Sequence, residues 1–236
     1  MNEILFFIIL IIMFTIIILL HKFFGKAGLF AFIAMSVILA NIEVSCQVNM
    51  FNLPDGWVTL GNVSFASIFL ATDILNECYG YKESKKAVNL ALIVIIVFLL
   101  LIQLDLLFIT DNPMHELLSQ FFGIDGTFIW VTFSSIICFY LANLVDVWLF
   151  EKIRQKTGDK KLWLRNNLAT ISANCVENFL FAFLGYYLLP LIFTGNPIQP
   201  LTLSLGICVS TCLIEVIISL LDTPFVYLAR KIKIRK

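Results

Sequence analysis

The positive charges of this chain fall only in alternate gaps between long apolar runs, and that pattern constrains the fold more than any other feature. Seven runs are long enough to cross a bilayer: Ile4–Leu20, Gly28–Val48, Trp57–Glu77, Ala87–Ile109, Phe128–Phe150, Leu162–Leu189 and Leu201–Leu228. A crossing helix needs about 20 mostly apolar residues. The sixteen Lys and Arg residues test that division. Lys22 and Lys26 lie between runs one and two, and Lys82, Lys85 and Lys86 between three and four. Lys152, Arg154, Lys156, Lys160, Lys161 and Arg165 lie between five and six; Arg230, Lys231, Lys233, Arg235 and Lys236 follow run seven. The loops at 49–56, 110–127 and 190–200 carry none. Cytoplasmic loops of membrane proteins collect Lys and Arg, so a missed or invented span would break the alternation. The pattern predicts an all-α, polytopic transmembrane bundle of about seven spans, with the N-terminus outside and the C-terminus inside the cell membrane.

The first run has no basic region ahead of it and no small-residue cleavage site, which predicts an uncleaved helix. It is Ile, Leu and Phe almost throughout. We therefore expect one membrane domain over 1–236, with an extra, peripheral helix and loop at 1–27 and a six-helix core at 28–236. Between the runs, Asp111-Asn112-Pro113 is a helix start, and Met114–Phe122 after it is short and amphipathic, suited to the outer interface. Pro190, Pro197 and Pro200 around Gly195-Asn196 predict a stiff turn rather than a helix.

Composition removes several functions. The chain is 60% hydrophobic and 14% charged, whereas soluble domains have roughly 25% charged residues. A net charge of zero gives no cationic surface for nucleic acid. The six cysteines are scattered through apolar stretches with no CxxC pair beside a histidine, so neither a metal site nor a disulfide framework is indicated. The two histidines, His21 and His115, sit near run ends without an HExxH pattern, which excludes a zinc protease. An intramembrane aspartyl pair from Asp73 and Asp146 is a remote enzymatic alternative, lacking any flanking Gly-rich motif. No cofactor is called for.

Acidic residues inside apolar helices cost roughly 2.5–3.5 kcal/mol each on insertion scales, yet this chain repeats them. Glu43, Asp73, Glu77, Asp105, Asp146, Glu177, Glu215 and Asp222 all fall within the runs. Helical spacing groups them: Asp73 and Glu77 are four apart with Asn76 beside them, and Glu215 and Asp222 are seven apart. Asn143 and Asp146 are three apart, as are Asn174 and Glu177, with Asn178 adjacent. These groups predict a polar cavity between helices. The competing expectation, for Asp73, Glu77, Asp146 and Asp222, is pairing with loop Lys or Arg at the basic side. Asp105 reads as an interface residue.

An internal similarity supports the grouping. Ala142-Asn143-Leu144-Val145-Asp146-Val147-Trp148-Leu149-Phe150 and Ala173-Asn174-Cys175-Val176-Glu177-Asn178-Phe179-Leu180-Phe181 share an A-N-x-V-acid-x-aromatic-L-F pattern. Leu39-Ala40-Asn41-Ile42-Glu43 is a partial third copy. Repeats that set polar residues at a helix interface are a feature of transporter sites. Ala27, Ala31, Ala34, Ser36 and Ala40 give run two a smooth face for close helix contact.

Thr72-Asp73-Ile74-Leu75-Asn76-Glu77-Cys78-Tyr79-Gly80-Tyr81-Lys82 resembles the T-D-[IL]-L-x-E-x-Y-G motif of the YhhQ-type queuosine precursor transporters, the vitamin uptake transporter family. Leu162-Trp163-Leu164-Arg165-Asn166-Asn167 is similar to that family's L-W-L-R segment, and Asp222-Thr223-Pro224 to its terminal D-T-P element. Order and spacing match over roughly 28–228. The chain departs from the family where Ser64-Phe65-Ala66-Ser67 replaces a frequent Phe-Pro pair, and in having Glu177 where Asp is expected.

The resemblance implies import of queuine or its precursors preQ0 and preQ1, which are 7-deazaguanine bases, through a helical carrier. Carboxylates accept the N–H donors of a guanine-like edge, amides serve its carbonyl, and aromatic rings stack on its face. The expected substrate-binding residues are Glu43, Asp73, Asn76, Glu77, Asn143, Asp146, Asn174, Glu177 and Asn178. Trp148 and Phe179, with Phe181, are the stacking candidates, around a midplane cavity lined by runs two, three, five, six and seven. The expected partners are a small 7-deazapurine and the bilayer. Self-association stays open, as does a substrate-capture subunit for another small heteroaromatic served by a separate motor; the Ala27-xxx-Ala31 pair resembles the motor-docking face of such subunits.

Overall fold

The computed structural model describes residues 2–232 except 45, 47, 51–57, 124–128, 159 and 199. The first residues of runs three and five, Trp57 and Phe128, and the cations Lys233, Arg235 and Lys236 lie outside the described residues. Within them the seven apolar runs are helical over most of their length. The elements are α1 (Asn2–Glu43), α2 (Gly61–Tyr79), α3 (Tyr81–Asp105), α4 (Pro113–Phe122), α5 (Ile129–Thr157), α6 (Leu162–Phe183), α7 (Leu189–Thr194) and α8 (Leu201–Lys231). Five helical stretches are long and apolar enough to cross a membrane, α1 counting as one and α6 continuing through α7.

α1 holds runs one and two as antiparallel arms. A straight helix of its length would be about 63 Å long, yet the Asn2 side chain donates to the Asn49 carbonyl at 3.0 Å. The chain reverses at Gly25, whose φ of 59° and ψ of −137° lie in a region essentially reserved for glycine. The first arm buries one stripe, Phe6, Leu10, Phe14, Ile17 and His21, and leaves Ile4, Ile8, Ile12 and Leu19 exposed. Exposed apolar faces of this kind are what lipid requires of a bundle's rim.

α2 is the most enclosed of the long helices, buried without a break from Gly61 to Glu77. Its Ser67 and Thr72 hydroxyls bond back to the Val63 and Phe69 carbonyls at 2.8 and 2.9 Å, which satisfies them inside an apolar bundle. Gly61 allows the second arm of α1 to close on it: a Cβ there would lie 3.0 Å from the Ala40 carbonyl oxygen and from the Val44 Cα. Gly80, at φ 90°, turns α2 into α3.

The basic segments converge on one end. Lys26 pairs with Glu83 at 3.2 Å, joining the loop at Gly25 to the start of α3. Arg154 donates to the Asn76 carbonyl at 2.9 Å, and Arg165 and Arg230 reach Glu77 at 2.5 and 3.4 Å. At the other end the Val48 amide donates to the Val58 carbonyl at 2.8 Å. There too α4 begins as its sequence predicts, with the Asn112 side chain accepting from the Met114 amide at 2.9 Å and Pro113 in the first turn.

Three expectations change. Residues 189–194 are helical despite Pro190, because a π-turn over Leu184–Leu188 shifts the hydrogen-bond register just before the proline; the turn is confined to the loop beyond Gly195. On run two, Ser36 and Ala40 face the bundle while Ala27 and Ala31 are exposed. His21, near a run end in the sequence, is fully buried and meets the Tyr79 ring edge-on.

Candidate functional site

The repeated segments lie on α5 and α6, and antiparallel pairing decides what they do. Their alanines, Ala142 and Ala173, pack together around Phe69 of α2. Each acid lies four residues past its alanine, so on opposed helices the two acids diverge by about 12 Å along the axis. Asp146 goes to the basic half of the bundle and Glu177 to the other. The repeats thus furnish two polar sites instead of one shared surface.

On the basic side is a fully enclosed nest. Asp73, Asp146, Asn143, Asn166 and Asn76 have no exposed surface, and Asp222 and Thr170 almost none. The Thr170 hydroxyl lies 3.1 Å from Asp73 Oδ2 and 3.2 Å from Asp146 Oδ1. Asn166 donates to Asp222 at 2.6 Å, and Asn167 to the Thr223 hydroxyl at 2.7 Å. Pro224 deprives α8 of one backbone donor, and beside it Thr223 closes back on the Ser219 carbonyl at 3.3 Å.

Beyond the nest, toward the basic end, is a clamp. Arg165 is completely buried on Glu77 and also donates to the carbonyls of Gly158 and Lys160 at 2.9 and 3.2 Å. Its guanidinium lies 5.5 Å from the Phe150 ring centre. Asn76 ties α2 to α5 through the Val147 carbonyl at 3.1 Å. The three motif segments therefore interlock: Glu77 holds Arg165, Asn166 holds Asp222, and Asn167 holds Thr223. For Glu77 the expected pairing with a loop cation is what forms. Arg165 brings a cation into the bundle, its length carrying the charge inward from the start of α6.

The other half contains an open cavity of about 580 Å³, counting its mouth. α2, α5, α6, the π-turn and α8 line it, through Asn62 and Phe65, Ser135, Glu177 and Phe181, Tyr186, and Thr211 and Glu215. Two amides clasp the Glu215 carboxylate: Asn178 donates to one oxygen, and Asn62 to the other at 3.5 Å. The Thr59 hydroxyl orients Asn62 by donating to its Oδ1 at 2.8 Å. Glu177, half-buried in the cavity wall, makes no hydrogen bond or ion pair among the described residues. Phe181 and Tyr186 meet edge to face at 5.2 Å. Gly185 lets this wall approach α5, since a Cβ there would lie 3.3 Å from Ser134 Cβ. The site is rich in acceptors, walled by aromatics and partly open, which suits a flat heterocycle bearing N–H donors.

Of the expected site residues, the structure gathers Glu177 and Asn178 at this cavity, and Asp73, Asn76, Asn143 and Asp146 around the nest. Asn174 is buried on α6 between the two. Glu77 belongs to the clamp. Glu43 accepts from the Ser64 hydroxyl at 2.6 Å and lines a separate cavity beside the first arm of α1. Trp148 and Phe179 turn away from both sites, 48% and 55% exposed, and Lys152 stacks on Trp148 at 4.2 Å. Of the three expected stacking residues only Phe181 lines the cavity, together with Tyr186 and Phe65, because in each repeat the aromatic two residues past the acid lies on the opposite helix face.

Sequence reasoning passed over Thr59, Asn62, Thr170 and Tyr186. One signal was available for the third: Asn166, Thr170, Asn174 and Asn178 recur every fourth residue, a polar stripe along α6. Asn62 had none, since it lies in run three ahead of the motif and outside the repeats.

A family model described as "Putative vitamin uptake transporter" matches residues 59–229. A Bacillus subtilis (strain 168) protein named "Probable queuosine precursor transporter" is 35% identical over 227 residues, covering 94% of this chain and 91% of its own length. No solved structure matches the chain.

Proposed function

The chain belongs to the vitamin uptake transporter family, and from that premise we propose that it imports queuosine precursors, 7-deazaguanine bases such as queuine, preQ0 or preQ1, into the cytoplasm. It is a multi-pass membrane protein; we place it in the cell membrane with the N-terminus outside, acting as a carrier and not as an enzyme. The observation that carries the site assignment is the Glu215 carboxylate held by Asn178 and Asn62 beside the unpartnered Glu177, against the Phe181–Tyr186 wall. A guanine-like base offers adjacent N–H donors that a carboxylate accepts, and a face that aromatic rings cover. The similarity to a protein named for this cargo supports the same reading.

The cavity lies in the non-basic half. Glu215 is fifteen residues from Arg230, about 22 Å along a helix, while the clamp holds the basic end shut. This arrangement supports an outward-facing carrier awaiting substrate.

Expression in bacteria unable to make or import these precursors, with each base supplied in turn and queuosine measured in tRNA, tests function and cargo together. We expect restoration by at least one base. Glu215→Gln and Glu177→Gln should each lower uptake roughly ten- to hundredfold, the worth of a hydrogen bond to a charged group, with unchanged amounts of protein in the membrane. Full uptake in both variants would overturn the site. Dependence of uptake on added motor subunits would favour the capture-subunit reading, for which the exposed Ala27 and Ala31 supply a docking face.

A further inference from the structure

The nest below the cavity holds more oxygen acceptors than donors reach, and we propose that Asp73 and Asp146 bind a proton that enters with the substrate and drives uptake. The inference rests on the transport reading above and assigns the nest a role distinct from substrate binding.

Six buried oxygens here have no donor among the described residues: Asp73 Oδ1, Asn76 Oδ1, Asn143 Oδ1, Asp146 Oδ2, Asn166 Oδ1 and Asn174 Oδ1. They come from α2, α5 and α6, and all of them accept. An unmet acceptor in an interior costs about 1–3 kcal/mol, so such a concentration calls for a ligand that donates. Thr170 meets part of the need. Its single hydroxyl hydrogen serves one carboxylate at a time, although both Asp73 and Asp146 lie within reach.

The two carboxyl groups flank one hydroxyl, Thr170 Oγ1, at 3.1 and 3.2 Å, which makes them close neighbours. Two carboxylates can hold each other only by sharing a proton, because each is otherwise an acceptor alone. A proton bound between them turns one oxygen into a donor for the other.

The charged groups facing the pair are accounted for. α2 presents Glu77, α5 Arg154, α6 Arg165 and α8 both Asp222 and Arg230. Arg165 and Arg230 are held on Glu77, and Arg154 donates to the Asn76 carbonyl. Asp222 is occupied by Asn166. The cations are thus engaged about one turn toward the basic end, and the nearest further charge, Asp222, is negative.

The nest also has the right position. The Phe69, Ala142 and Ala173 layer stands between it and the cavity, so it lies between substrate and the cytoplasmic clamp. The balance is simple: a proton from external water forms an O–H bond on the Asp73–Asp146 pair, moves with the conformational change, and is released to cytoplasmic water.

The test uses the full chain in liposomes with a trapped pH dye, potassium and valinomycin to clamp the potential, and radiolabelled preQ1 or queuine outside. An inward proton gradient of one pH unit should raise accumulation up to about tenfold for one proton per substrate, and adding substrate should acidify the lumen. Asp73→Asn and Asp146→Asn should leave an uptake that no longer responds to the gradient, and Thr170→Val should weaken the response. Wild-type accumulation that ignores the proton gradient, follows a sodium gradient instead, or moves no protons would overturn the proposal. So would a full gradient response in both Asp variants. If those variants fail to fold, the wild-type dye signal still decides. Counterflow, exchange of labelled for unlabelled base without any gradient, separates the two readings. Its absence for both bases in the wild type overturns the transport reading, whereas counterflow without gradient response overturns only the proton site.

Discussion

Arg165 is the largest side chain with no exposed surface, and its burial is tolerated because Glu77, two backbone carbonyls and the Phe150 face surround it. Removing a charged group from water costs several kcal/mol, which a close partner and filled hydrogen bonds offset. The pair is therefore fragile in one direction. Glu77→Gln leaves a guanidinium buried without its counter-charge, and should lower stability by about 3–5 kcal/mol. Replacing both residues together, Glu77→Gln with Arg165→Met, removes the unpaired charge and should restore part of that loss. Thermal unfolding in detergent reads the difference. A double variant less stable than Glu77→Gln alone would show that Arg165 contributes through contacts other than this pair.

At the scale of elements, run lengths and the α4 cap were legible because each depends on local chemistry. The hairpin within α1 was legible only through its charges: no proline or loop marks it, and Gly25 alone carries the reversal. The site was legible in part. Spacing put Glu177 and Asn178 together, and both line the cavity, whereas Trp148 and Phe179 face away from it. The repeat pattern fixes which residues share a helix face, not which neighbour that face meets; that depends on α2 lying between the repeats. Asn62 and Tyr186 come from outside any motif and are brought in by the close approaches at Gly61 and Gly185. The hairpin has a direct check. Ile9 and Leu39 line one cavity, whereas along a straight helix they would be about 45 Å apart. In a chain whose native cysteines are replaced by serine, Ile9→Cys and Leu39→Cys should be joined by a short bifunctional thiol reagent. Failure to crosslink, with both cysteines reactive singly, would contradict the paired arms.

For the whole molecule, the distribution of charge and the packing of helices agree in gathering the basic segments at one end. The positive-inside rule uses only which loops hold Lys and Arg; the structure brings those loops together through Lys26–Glu83 and the contacts on Glu77 and Asn76. If a single span were misassigned, at least one basic segment would lie at the cavity end, and these contacts would not form. In the proposed orientation the cavity with Glu177 and Glu215 opens to the outside and the clamp lies on the cytoplasmic side. Single cysteines in the cysteine-free chain test this in intact cells. A membrane-impermeant thiol reagent should label Thr59→Cys at the cavity rim and leave Lys160→Cys unlabelled, and lysis should make Lys160→Cys reactive. Excess precursor base should slow labelling at Thr59 and leave Lys160 unaffected. Labelling of Lys160→Cys from outside would invert the orientation, and with it the assignment of cavity and clamp to their sides of the membrane.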